Sequence, residues 1–195
     1  SDLEMEIQRR RLEIQRREQN VKVDDSKNQA INDLESFSES FWQIKDLDEL
    51  MRTLFQFAEK RYQAEASWLW LIDRKTEELY TGRFAGGRVF YSESKQVIQN
   101  LRVPLNENGG TTWRTFQKKR VVYLPRIRHS RLNRVDRVMA ESIGLKSLLQ
   151  VPVLNENRVV GIVNVVSLGR RMELDREELR FLRRLGMRLG EMLAV

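Results

Sequence analysis

Residues 146–154 and 158–167 are two β-rich runs separated only by Asn155-Glu156-Asn157. Such a connector between two runs of this kind is the signature of a hairpin, and it commits the chain to an antiparallel sheet near its C-terminal end. Two amides interrupt the apolar pattern. Gln150 is flanked two positions away by Leu148 and Pro152, and Asn164 by Ile162 and Val166. A buried amide needs hydrogen-bond partners, so each of these side chains either bonds local backbone or faces a polar cavity.

The preceding segments supply the other layers. Asp46 with Glu49 forms a capping-box-like start, after which Leu47, Leu50, Met51, Leu54, Phe55, Ala58 and Tyr62 recur at helical spacing. Strand-like segments cover 67–73, 78–84 and 101–105. Gly109-Gly110-Thr111-Thr112 opens a short helix to about Lys118, and residues 121–124 form a strand ended by Pro125. Asn133 caps a helix over 134–143, and Asp175 with Glu178 caps a closing helix carrying Leu179, Leu182, Leu185, Leu189 and Leu193. This order is α+β with an antiparallel sheet. Two segments are expected: a helical arm over 1–45 and a domain over 46–195.

The arm contains Ile7, Ile14 and Val21 at intervals of seven, a narrow seam of the kind that pairs with another helix. A second spacing, Val23, Ala30, Phe37 and Ile44, is offset by two residues, so a break, a kink or a change of partner is expected near Asp24. In the closing helix, Leu179, Leu182, Leu189 and Leu193 form one stripe, and Phe181, Leu185 and Met192 form another that is expected to meet a partner helix. Gly186 and Gly190 would each cost about 1 kcal/mol in a helix interior, which implies something packed closely against them. A parallel homodimer through the terminal helices is expected.

Composition closes off several kinds of chemistry. With no cysteine there is no disulfide or thiolate, and the single histidine, His129, cannot build a histidine metal site. No Gly-x-Ser-x-Gly elbow, Walker loop or His-Glu-x-x-His occurs, and no catalytic activity is expected. No apolar run is long enough to span a bilayer, so a cytoplasmic protein is expected. The start at Ser1 and the end at Val195 inside a helical pattern lead to the expectation of a piece of a longer protein. The net charge of +7 is concentrated: 114–137 holds nine Lys/Arg and one acid, Asp136. That stretch is a candidate anion-binding surface, or else a solvated basic face, and it is no general sign of nucleic-acid binding.

From Asp46 to Leu193 the chain resembles a GAF domain. The resemblance is carried by Ala64–Asp73, by Val103-Pro104-Leu105 with the Gly109-Gly110 turn, by Val122-Tyr123-Leu124-Pro125, and by Leu149–Val153 through Gly161–Val166. It implies a central antiparallel sheet with terminal helices on one face and, on the other, a ligand pocket roofed by the mid-chain helices. The flavour is similar to the cyclic-nucleotide-binding branch. By that resemblance Phe84 stacks on the base, Thr111 and Thr112 hold the cyclic phosphate, Arg134 lies near it, and Asn164 lines the pocket; Gln150, as the other amide in an apolar strand, is expected to join the ligand-binding residues. Guanine-selective members carry polar side chains where this chain has Trp68 and Ala85, so adenine is favoured. The branch's Asn-Lys, Phe and Asp-Glu signature is replaced here by Ser167, Leu168, Leu174, Glu178 and Leu179.

The function so implied is a dimeric sensor that binds cAMP and controls a C-terminal output enzyme, such as a cyclase. Two alternatives belong to other classes: a ligand-free dimerisation module, and a module that binds nucleic acid or protein through its basic face, with nucleic acid the less expected partner.

Overall fold

The computed structural model describes residues 2–86, 92–127, 131–169 and 171–193. The chain divides into two compact units, 1–40 and 41–195. His129 lies outside the described residues, as do the side chains of Ala85, Val23, Ala30, Leu34 and Phe37.

Helix α1 (Asp2–Gln43) runs without interruption, which corrects the break expected near Asp24. Its sequence contains no Gly or Pro, so every interior residue keeps a backbone donor and a helical φ. A two-residue slip in the apolar pattern changes which side is apolar without removing a hydrogen bond. Ile7, Ile14 and Val21 are all exposed along it.

The second unit is built from α2 (Leu47–Tyr62), β1 (Ala66–Asp73), β2 (Glu78–Gly86), α3 (Ser92–Asn100), β3 (Val103–Pro104), α4 (Gly110–Lys118), β4 (Val122–Leu124), α5 (Arg134–Ile143), β5 (Ser147–Asn155), β6 (Arg158–Ser167) and α6 (Arg176–Leu193). The six strands form one antiparallel sheet in the order β3-β2-β1-β6-β5-β4. The expected α+β architecture is the observed one. Asp46 caps α2 by accepting from the Asp48 and Glu49 N–H groups at 2.7 and 3.1 Å. Asp175 accepts from the Glu178 N–H at 2.9 Å at the start of α6. Helix α3 was not expected from its sequence. Among its described side chains Ile98 alone is buried, while Val97 is exposed, so no apolar period marks it.

One face of the sheet is covered by α2 and α6. Leu182, Leu185 and Leu189 meet Leu149, Val151, Val163 and Val165 around a void of about 10 Å³, room for one water at most. The two glycines of α6 make this closeness possible. A Cβ at Gly186 would stand 2.2 Å from the Pro152 carbonyl oxygen, and one at Gly190 would stand 1.8 Å from that of Leu154. The close neighbour inferred for these glycines is therefore β5 of the same chain. The second stripe of α6 is likewise used internally: Phe181 and Leu185 are 2 % and 1 % exposed, and Phe181 packs on Phe57 of α2 with ring centroids 5.9 Å apart. That corrects the expectation that this stripe is left for a partner helix.

The opposite face carries Trp68, Trp70, Ile162 and Val166, with Ile98 of α3, Met139 and Ile143 of α5 and Phe116 of α4 packed over them as a roof.

Candidate functional site

Strand register places four of the eight candidate residues in one transverse row. Phe84 of β2 is opposite Trp68 of β1, Trp68 is opposite Asn164 of β6, and Asn164 is opposite Gln150 of β5. Side chains directly opposite in an antiparallel pair share a face, so the row lies under the roof. Trp68, Asn164 and Gln150 are fully buried. Ala85 is the neighbour of Phe84, paired with Ser67.

The two amides behave differently. Gln150 is satisfied at both ends: its Nε2 donates to Thr112 Oγ1 at 2.9 Å, and its Oε1 accepts from Thr115 Oγ1 at 2.6 Å. Among the described residues neither end of the Asn164 amide has a partner, and the buried indole N–H groups of Trp68 and Trp70 also lack one. Leaving a buried donor or acceptor unpaired costs about 1–3 kcal/mol. Four such atoms on adjacent strands are therefore a concentrated demand for hydrogen-bond partners.

Thr111 and Thr112 open α4, as expected, and both are buried. The occupant of that helix start is a carboxylate of the chain itself. Asp136 accepts from the Thr111 N–H at 3.1 and 3.0 Å and from Thr111 Oγ1 at 2.9 Å, a charge-assisted set at the positive end of the helix dipole. Asn133 caps α5 by accepting from the Asp136 N–H at 2.9 Å, and its amide donates to the Asn108 carbonyl at 3.0 Å. Gly110 is required where these groups converge. Its φ is +64°, and a Cβ there would lie 2.5 Å from Asn133 Oδ1 and 2.6 Å from Asp136 Oδ2.

The cation beside Thr111 is Arg114, whose Nη2 donates to Thr111 Oγ1 at 3.1 Å. Arg134 is exposed at the first position of α5. Phe84 and Trp68 lie nearly parallel, at 5° with centroids 6.1 Å apart, and Lys95 of α3 places its Nζ 5.3 Å from the Phe84 centroid. Sequence reasoning missed Asp136, Thr115, Arg114 and Lys95 as members of this site. One signal for Asp136 was present, since it is the single acid in the basic stretch 114–137.

Residues 44–194 match the sequence model of the GAF domain family. The chain belongs to that family. GAF domains are regulatory sensor domains, and the fold described above is shared by solved structures. The GAF domain from an Acinetobacter phosphoenolpyruvate-protein phosphotransferase superposes with a TM-score of 0.62 at 14% identity, covering 86% of this chain and 93% of that one. The chromophore-binding domain of Stigmatella aurantiaca bacteriophytochrome gives 0.64 at 11% identity, covering 85% of this chain and 60% of that one. The free methionine-R-sulfoxide reductase of Neisseria meningitidis, solved with its substrate, gives 0.60 at 15% identity over 83% and 86%. No curated protein matches the sequence. Among the described residues, no helix is long and apolar enough to cross a membrane.

Proposed function

We propose that this GAF domain is a cytoplasmic regulatory sensor that takes an adenine cyclic nucleotide, cAMP, beneath its roof. It passes the resulting movement to an output enzyme C-terminal to this chain, such as a cyclase. The observation that carries the proposal is the group of buried atoms on one face that lack a partner among the described residues: the Asn164 amide and the Trp68 and Trp70 indole N–H groups. Adenine presents ring-nitrogen acceptors and one exocyclic amine. Two indole donors and an amide that can both give and accept match that pattern. Guanine adds N–H donors that would compete for Asn164 Oδ1, the free acceptor of this group among the described residues.

Because Trp68, Asn164 and Gln150 are fully buried, a ligand reaches these three only when the roof parts, with the partly buried Phe84 at the end of the row. A path from there to α6 exists in β5. Gln150 bonds the roof threonines, and two residues along, the Pro152 carbonyl lies close against Gly186 of α6. A change in how the roof holds Gln150 is thereby transmitted to the closing helix. The homodimer rests on α1, whose exposed Ile7, Ile14 and Val21 keep a seven-residue seam.

Asp136 favours a second reading, the ligand-free dimerisation module, because its carboxylate already fills the helix start where a cyclic phosphate would go. Calorimetric titration with cAMP, cGMP and a short DNA duplex separates the readings. The sensor binds cAMP best, and Phe84→Ala weakens that binding by about 1–3 kcal/mol if the ring stacks on the base. Absence of any cyclic-nucleotide heat leaves the ligand-free reading, and salt-sensitive duplex binding returns the basic face to consideration. Sedimentation of the full chain tests the assembly: a dimer is expected, and a monomer at high concentration contradicts it.

A further inference from the structure

Helix α4 has a second working side. Thr111, Thr112 and Thr115 face the buried polar centre, whereas Trp113, Phe116 and Lys119 border a separate open cavity of about 540 Å³ at the hairpin end of the sheet. Ile72, Leu105 and Val159 form its apolar wall, and Arg74, Glu77 and Arg158 stand at its rim. Ile72 is four residues along β1 from Trp68, which places the cavity about 13 Å from the Phe84 row at the strand rise of ~3.3 Å per residue.

Two properties of the cavity specify what would fill it. The Trp113 and Phe116 rings are stacked at 18° with centroids 5.5 Å apart, and both are only partly buried, so they offer aromatic surface to an incoming molecule. The charge is one-sided: Arg74, Lys119 and Arg158 oppose Glu77 alone. None of the three cations forms an ion pair with a described residue. The nearby Asp73 does not neutralise Arg74. It accepts from the Lys75 N–H at 3.0 Å and the Thr76 N–H at 3.4 Å and pairs with Arg102 at 3.4 Å. These contacts, led by the Lys75 N–H, hold its carboxyl below the usual range.

We infer that this cavity is a binding site for a small aromatic anion, whose ring lies against Trp113 and Phe116 and whose acid group is held among Arg74, Lys119 and Arg158. Its volume lies in the range of small-molecule sites. Arginine and lysine hold phosphate or carboxylate by charge-assisted hydrogen bonds, and aromatic side chains bind a ring with or without a charge beside it. A cationic or purely apolar molecule of the same shape forfeits the first contribution. The site is independent of the ligand proposed beneath the roof.

The test titrates the full chain with 1-naphthyl phosphate, 1-naphthol and 1-naphthylmethylammonium, followed by calorimetry and by tryptophan emission. Naphthyl phosphate is expected to bind saturably, one molecule per chain, at least about tenfold tighter than the other two, the scale of one charge-assisted contact. Arg158→Glu and Arg74→Glu, both at exposed positions, are each expected to weaken it by a similar factor while leaving the thermal melt unchanged. Trp113→Phe is expected to remove the emission change. Asn164→Leu is expected to leave naphthyl phosphate binding as it is. The inference is overturned if naphthyl phosphate shows no saturable binding, if the charge reversals do not weaken it, or if Asn164→Leu abolishes it, which would place the probe beneath the roof.

Discussion

On the helix face of the sheet, Leu182, Leu185 and Leu189 of α6 meet four valines and leucines of β5 and β6 around a void of about 10 Å³. On the roof face, four buried polar atoms of Asn164, Trp68 and Trp70 have no partner among the described residues, and a cavity of about 540 Å³ opens at one end. The same six strands supply both. The difference lies in the residues that alternate along them: Val163 and Val165 point to one side, Asn164 to the other. One face is optimised for packing, where area removed from water contributes about 25 cal/mol per Å². The other keeps polar groups in a place where only a partner makes them favourable.

The packed face is most sensitive at Gly190. Alanine there gains about 1 kcal/mol of helix propensity, yet its Cβ would stand 1.8 Å from the Leu154 carbonyl oxygen, a backbone atom with little freedom to retreat. Overpacking of this kind costs about 3 kcal/mol, so Gly190→Ala is expected to lower the unfolding free energy by about 2 kcal/mol or more in guanidinium titration. A neutral result would mean that α6 is not seated on β5 as described.

On the roof face the corresponding residue is Asp136. Asp136→Ala removes the carboxylate that Thr111 binds and is expected to cost about 2 kcal/mol of stability, the scale of hydrogen bonds to a charged group. The same change vacates the start of α4. Affinity for cAMP in the folded variant therefore rises if Thr111 and Thr112 receive the phosphate, and is unaltered if they do not.

Much of the fold was legible because periodicity and caps were strong. Asp46, Asn133 and Asp175 each start a helix with the side-chain bond their residue type predicts, and the Asn155-Glu156-Asn157 turn joins the two longest runs, its Glu156 and Asn157 taking positive φ. Where local signal was thin, reading failed. Helix α3 shows one buried residue among those described, and the second stripe of α6 could be assigned to a partner or to α2 only by knowing that Phe57 stands opposite Phe181. The site was legible to the extent that a polar residue in an apolar strand is visible. Gln150 and Asn164 looked alike in sequence, yet Thr112 and Thr115 satisfy the first and no described residue satisfies the second. That distinction depends on contacts between residues 35 and 38 positions apart, which no local pattern encodes.

In the proposed sensor, Asn164 is kept for a ligand at the expense of stability. Thermal melting of the parent chain and of Asn164→Leu, each with and without cAMP, tests it most directly. Replacing an unpaired buried amide by an apolar side chain of similar size relieves an unsatisfied donor and acceptor. The ligand-free variant is thus expected to be more stable than the parent by about 1 kcal/mol. At about one hundred times its dissociation constant, cAMP is expected to stabilise the parent by about 2.7 kcal/mol and the variant far less. A variant that is less stable than the parent, with cAMP shifting neither melt, would contradict the account and assign Asn164 to the core.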